Sequence, residues 1–156
     1  MKRQLLIILF TMIGVLPICA QNVDALYEEG KALYDAKNYV EAIAKLRPAA
    51  EKGHKKAQYR MGRCYDKGNG VGEDNVEAVR WYAKSAEQGY AKAEYQMARA
   101  YLKGKGGLKV DKKEAKALLK KAVGGKKNGK EILDEIKKNA AEGDEEAKQL
   151  LELLAA

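Results

Sequence analysis

Histidine and cysteine are almost missing from this sequence: His54 is its lone imidazole, and Cys19 and Cys64 are its two thiols. A zinc site needs three or four such ligands at short spacing, so that class of chemistry finds no motif here and no cofactor is expected. A disulfide framework is excluded on the same count, because two cysteines make one bridge at most. Strands lack support as well. Val and Ile are sparse, and no segment alternates apolar with polar residues as a half-buried strand does. Only two prolines punctuate the chain. What abounds is Ala, Leu, Lys and Glu, all of which favour helix. The expected class is all-α.

The first twenty residues are a different material. Lys2 and Arg3 form a basic start, and Leu5 to Val15 form an apolar core interrupted by Thr11 and Gly14. Pro17 then precedes Ile18-Cys19-Ala20 and Gln21. That order describes a secretory signal over residues 1–20, cleaved after Ala20, and predicts a periplasmic or secreted protein. The apolar run is shorter than the roughly 20 residues a membrane helix needs. No transmembrane span is therefore expected after cleavage. A rival reading makes Cys19 a lipid anchor, with Leu16 three residues before it. Ile18 argues against that, because such signals place a small residue just ahead of the cysteine. Losing Lys2 and Arg3 lowers the net charge from +8 to +6 and leaves Cys64 as the sole thiol.

Shifting the chain against itself by 36 residues superposes its least common side chains. Ala57, Tyr59, Met61, Gly62, Tyr65, Gly68 and Gly70 fall on Ala93, Tyr95, Met97, Ala98, Tyr101, Gly104 and Gly106. Ala42, Ala49, Ala50 and Gly53 fall on Ala78, Ser85, Ala86 and Gly89. Past Gly106 the offset is 37, pairing Ala78, Trp81, Tyr82 and Ala86 with Ala115, Leu118, Leu119 and Val123. A period of this length marks a stack of helical hairpins, each covering the apolar face of the one before. A glycine inside a helix costs about 1 kcal/mol relative to alanine. Gly30, Gly62 and Ala98 at one register therefore mark a place where another helix comes close. Ala42, Ala78 and Ala115 make the same argument on the second helices, with Tyr59, Tyr65, Trp81 and Tyr82 as the bulky partners.

The stretch Ala57 to Gly89 closely resembles a Sel-one-like repeat, carrying Ala57, Tyr59, Gly62, Tyr65, Gly68, Gly70-Val71, Asp74, Ala78, Trp81-Tyr82, Ala86 and Gly89. The unit from Ala93 to about Gly125 is similar with weaker second-helix residues. The first unit looks like an ordinary tetratricopeptide, with Gly30, Ala42, Leu46 and Ala49 in place. The resemblance covers about 100 of the 136 residues left after cleavage. It implies a short right-handed α-solenoid of antiparallel helix pairs with a C-terminal helical cap. Three repeats are expected at about 24–53, 54–89 and 90–124, followed by a linker and capping helices over 125–156. Helices are expected at about 24–36, 38–52, 54–67, 74–88, 91–103, 111–123, 130–142 and 144–154. Asn38, Asp74 and Asp111 suit N-caps, and Gly53, Gly89 and Gly124 suit helix ends. Leu150, Leu151, Leu153 and Leu154 would seal the last apolar face.

Candidate chemistry is thin. His54 is matched one repeat later by Tyr90, which does not suit a ligand position. Cys64 is matched by Ala100, which points to a small helix position that treats the thiol as a modest hydrophobe. Gly68-Asn69-Gly70-Val71-Gly72 is followed by no Lys-Ser/Thr pair and preceded by no strand, so it is a loop with Val71 docking inward rather than a phosphate cradle. Some exported relatives carry cysteines eight positions apart in each repeat, and β-lactamase-like or wall-hydrolase activity is suggested for them. This sequence lacks those pairs, so an enzyme is the alternative and not the expectation.

Charge is unevenly spread: residues 103–138 hold 13 lysines and 5 acids, and 139–156 hold 5 acids against Lys148. Binding of an anionic polymer or membrane surface is one reading of that excess. The missing arginines and aromatics in the segment favour a solvated helix surface, and no nucleic acid is expected. The main expectation is binding of another protein or peptide, with the oligomeric state left open. In tetratricopeptide-type stacks the first helix of each pair lines the groove. Three residues before Gly30, Gly62 and Ala98 stand Tyr27, Tyr59 and Tyr95, and one after stand Lys31, Arg63 and Arg99. Six before stand Asp24, Lys56 and Lys92. Those positions either line a groove of tyrosines and cations or pack between repeats.

Overall fold

The computed structural model describes residues 16–125 and 128–156, with side chains from Asn22 onward. Most of the signal reading over 1–20, the Cys19 side chain, and Lys126 and Lys127 of the linker lie outside the described residues. Eight α-helices follow one another among the described residues: α1 Leu16–Asp35, α2 Tyr39–Glu51, α3 Lys55–Lys67, α4 Asn75–Glu87, α5 Ala91–Lys103, α6 Lys112–Gly124, α7 Gly129–Ala141 and α8 Glu145–Ala155. A 3-10 turn, Lys105–Gly107, sits between α5 and α6. Each helix packs most on its neighbours in sequence, as α1/α2, α3/α4, α5/α6 and α7/α8 hairpins joined side by side. The result is an all-helical solenoid with no strand among the described residues. α1 begins earlier than expected, at Leu16, and is continuous through Ala20.

Capping explains most of the boundaries. Asp74 accepts from the Val76 and Glu77 N–H groups at 2.9 and 3.0 Å, and Asp111 from Glu114 N–H at 2.9 Å. Each aspartate satisfies amides that have no partner within the helix. Asn38 differs from the expectation: its φ of -80° and ψ of 66° leave the side chain without a capping bond. His54 supplies a cap that the sequence reading overlooked, its Nδ1 accepting from Ala57 N–H at 3.1 Å. Gly124 lies inside α6, and the cap is Gly125.

The small register does close a helix contact, but inside each hairpin and not between hairpins. A β-carbon on Gly62 would stand 2.5 Å from the Tyr82 ring of α4, and one on Gly30 would stand 2.7 Å from Leu46 Cγ of α2. Ala98 is wholly buried in one cluster with Leu119 of α6. The close approach between repeats falls on the loop glycines instead. A β-carbon on Gly70 would lie 2.7 Å from the carbonyl carbon of Tyr39, and one on Gly106 2.5 Å from the Asn75 oxygen. Tyr39 and Asn75 are themselves 36 residues apart and each opens the second helix of the preceding hairpin. One geometric device is thus used twice.

The apolar residues form three clusters along the stack. Ala42, Leu46, Ala49, Ala57, Met61, Ala78 and Ala115 are fully inaccessible. Burying one leucine such as Leu46 contributes about 1.5–3 kcal/mol. Gln58 of α3 donates across the seam between repeats to the Ala50 carbonyl at 3.1 Å, and the Ser85 hydroxyl donates to the Lys55 carbonyl within its own hairpin at 2.7 Å, while Trp81 Nε1 and the Tyr82 hydroxyl are buried without a partner. Val71 docks against the first cluster. Leu151, Leu153 and Leu154 are half-buried on the second, beside the buried Leu150, so the C-terminal helices cover the last hairpin.

Candidate partner-binding groove

The first helices of successive hairpins share a face, and two adjoining depressions lie along it. One of about 220 Å³ is lined by Tyr27, Tyr34, Lys56, Tyr59, Arg60, Arg63, Tyr90 and Lys92. The next, about 130 Å³, is lined by Tyr59, Arg63, Lys92, Tyr95, Gln96, Glu131, Ile132 and Glu135. Tyr59, Arg63 and Lys92 border both and make them one groove. Six of the eight candidate residues, Tyr27, Lys56, Tyr59, Arg63, Lys92 and Tyr95, therefore meet on this surface.

Lys31 and Arg99 do not. Lys31 pairs with Asp35 one turn along α1 at 3.0 Å, an exposed contact outside either depression. Arg99 is drawn to the cap. Its Nη2 donates to Glu146 Oε2 at 3.1 Å, and its Nε donates to the other oxygen. Glu146 also pairs with Lys103. Lys105 pairs with Asp66, so Lys103 and Lys105 of the 103–138 excess tie distant parts of the fold together, and Lys138 pairs with Glu142 along α7.

Tyr34, Arg60 and Tyr90 line the groove without having been singled out from the sequence. A signal for Arg60 was present: Lys56, Tyr59, Arg60 and Arg63 stand at i, i+3, i+4 and i+7, one full stripe of a helix. The same spacing in α5 selects Lys92, Tyr95, Gln96 and Arg99. Tyr90 joins because it caps the turn before α5, which a stripe rule does not reach.

The tyrosines both pack and line. Tyr27 and Tyr95 are each 6% exposed. Tyr27 stacks on His54 with ring centroids 4.3 Å apart. Tyr59 meets Tyr82 of its own hairpin at 5.8 Å and Tyr90 of the next repeat at 5.3 Å, so it is a strut between units as well as a groove wall. Burial pushes the Tyr90 and Tyr95 hydroxyls up to about 12, which keeps them neutral donors. Cations lie over these rings: Lys56 is 5.7 Å from the Tyr27 centroid and Arg60 is 4.8 Å from that of Tyr34. Arg60 also reaches Asp35 at 3.2 Å, and Lys92 reaches Glu131 at 3.0 Å.

Arg63 is the exception. It donates to the Tyr59 hydroxyl at 3.3 Å, and its buried Nε has no acceptor. Burial opposes its charge, the Tyr59 contact favours it, and the net shift is upward.

Cys64 is wholly inaccessible, and burial raises its thiol to about 11. Only a thiolate is a good nucleophile, so the group is inert in the folded chain. With Cys19 changed to serine, Cys64 is expected to resist a thiol reagent at neutral pH and to react fully in denaturant. Labelling of the native chain at the rate of a free cysteine would contradict its burial. Among the described residues, no group of three or more His, Cys, Asp or Glu side chains is placed to hold a metal ion. Among them, too, no helix is long and apolar enough to cross a membrane.

A Sel1 repeat family model matches three consecutive segments, residues 20–54, 55–90 and 91–123. No curated protein sequence matches the chain. Among solved structures, a Sel1 repeat protein from Oxalobacter formigenes is 32% identical with a TM-score of 0.64, covering 85% of this chain and 64% of its own. A protective antigen of uropathogenic Escherichia coli strains, described as displaying an SLR fold, is 31% identical with a TM-score of 0.61. That match covers 69% of this chain and 24% of the antigen, so this chain spans less than two-thirds of either relative. With three repeats matched end to end and hairpins stacked in sequence order, the chain belongs to the Sel1 repeat family.

Proposed function

We propose that this chain is an exported scaffold that binds a peptide segment of another protein along the groove of its first helices. Sel1 repeats are in general protein–protein interaction scaffolds without catalysis of their own. The observation that carries the reading is the groove itself, a tyrosine wall shared by three successive hairpins and bordered by cations. Tyrosines offer rigid contact at small entropic cost, and arginine offers forked hydrogen bonds. Export rests on the basic start, apolar core and Ala20 junction of the N-terminal sequence. The inert Cys64 removes the nucleophile that a thiol-dependent hydrolase would need.

Site-specific photo-crosslinking in cells tests the surface. A crosslinking amino acid at Tyr59 is expected to trap one or a few envelope proteins. The same group at Val76, which is 55% exposed on α4, is expected to trap none of them. Identical adducts from both positions, or adducts to cytoplasmic proteins alone, would remove the groove or the export from this reading.

A further inference from the structure

Arg63 and Arg99 occupy one register of successive repeats and end differently. Arg99 forks onto Glu146 from the first turn of α8. Arg63 has only the Tyr59 hydroxyl, with Nε buried and unanswered, and among the described residues no carboxylate lies within ion-pair distance of it. A buried N–H without an acceptor is costly, and a charged one more so. The groove has few acids to offer. Asp35 is shared between Lys31 and Arg60, Glu131 is taken by Lys92, and Glu135 borders only the second depression. On the first depression, Lys56, Arg60, Arg63 and Lys92 converge with no acid among the lining side chains. Its volume of about 220 Å³ is below the roughly 300–1,000 Å³ of small-molecule sites and suits a side chain with its flanking backbone.

We propose that the first depression receives an aspartate or glutamate side chain of the partner polypeptide, its carboxylate accepting from the free Nη2 end of the Arg63 guanidinium, in the part that Glu146 plays for Arg99. The cap is then an internal copy of the recognition: repeat three is answered from within the chain, and repeat two is answered from outside it. Tyr34 and Tyr59 flank the stem of the incoming side chain, and Lys56 supplies longer-range attraction. Arginine suits this role because its planar fork matches a carboxylate, where lysine offers a single point charge. This inference rests on the groove reading above.

The test is to pan a random peptide library displayed on phage against the full chain. Selected peptides are expected to share one Asp or Glu position. Arg63→Gln should weaken them at least tenfold, and Arg63→Lys should restore binding only in part. Changing the peptide's acid to its amide should abolish the difference between Arg63→Gln and the parent chain. Neutral peptides that need Tyr59 but ignore Arg63→Gln would overturn the carboxylate and leave the groove standing. Acidic peptides indifferent to both Arg63→Gln and Tyr59→Ala, or no enrichment at all, would overturn both. Competition by inorganic phosphate as strong as by peptide would assign the depression to a small anion instead.

Discussion

Gly106→Ala and Gly70→Ala are each expected to destabilise the stack by about 2–5 kcal/mol, through backbone strain of about 1–2 kcal/mol and overpacking of about 1–3 kcal/mol. Both glycines have positive φ, 64° and 73°, a region that costs any residue with a β-carbon. Both also face backbone that has no room to yield: the Asn75 oxygen at 2.5 Å for Gly106 and the Tyr39 carbonyl carbon at 2.7 Å for Gly70. The added methyl would push the loop off the second helix of the preceding hairpin and open the seam between repeats. Denaturant titration followed by helicity checks this as a shift of midpoint at constant slope. Gly72→Ala is the control, since a β-carbon there meets nothing within 4 Å, and a change within about 0.5 kcal/mol is expected. Equal effects at Gly72 and Gly106 would show that loop glycine content matters and the seam does not.

Arg99→Gln and Arg63→Gln, the same change one repeat apart, are expected to differ in sign of importance. Arg99→Gln leaves Glu146, whose side chain is 12% exposed, with Lys103 as its remaining partner. The expected loss is about 1–3 kcal/mol, below the figure for a wholly buried pair because that second cation stays. The helices α7 and α8 should loosen first, seen as faster amide exchange there. Arg63→Gln removes a cation that has no carboxylate among the described residues and should change stability by no more than about 1 kcal/mol, the Tyr59 contact being its one hydrogen bond, while weakening peptide capture at least tenfold. Acid adds a second readout. Burial alone would raise the Glu146 carboxyl, but Arg99 and Lys103 outweigh it and hold it below the usual carboxylate range. Its contribution is therefore complete above the ordinary glutamate pKa of about 4.3 and fades as pH falls through the lower folded value. Glu146→Gln should flatten that part of the acid limb. An unchanged limb would mean the cap is held by its leucines alone.

The period of 36 and the residues that obey it were legible because stacking imposes the same environment at the same offset, so Gly62 and Ala98, or Tyr59 and Tyr95, carry matched side chains. Asp74 and Asp111 were legible as caps for a local reason, since a cap bond spans two or three residues. Asn38 failed by the same local logic: the chain enters α2 at a ψ that turns its amide away from the free N–H groups. The partner of the small register could not be read. Gly62 demands a close neighbour, but whether Tyr82 of the same hairpin or a ring of the next fills the space depends on how two helices cross.

By itself, then, the sequence determined a helical repeat, its length, its two aspartate caps and the stripe of tyrosines and cations on the first helices, because each of these follows from spacing along one chain. Only the tertiary structure decided that Gly70 and Gly106 are the seams between repeats and that Arg99 is taken by the cap while Arg63 is left open to the groove. Two arginines at the same repeat position differ by what arrives from 47 residues downstream of the second, and a contact of that range is made by packing rather than by pattern.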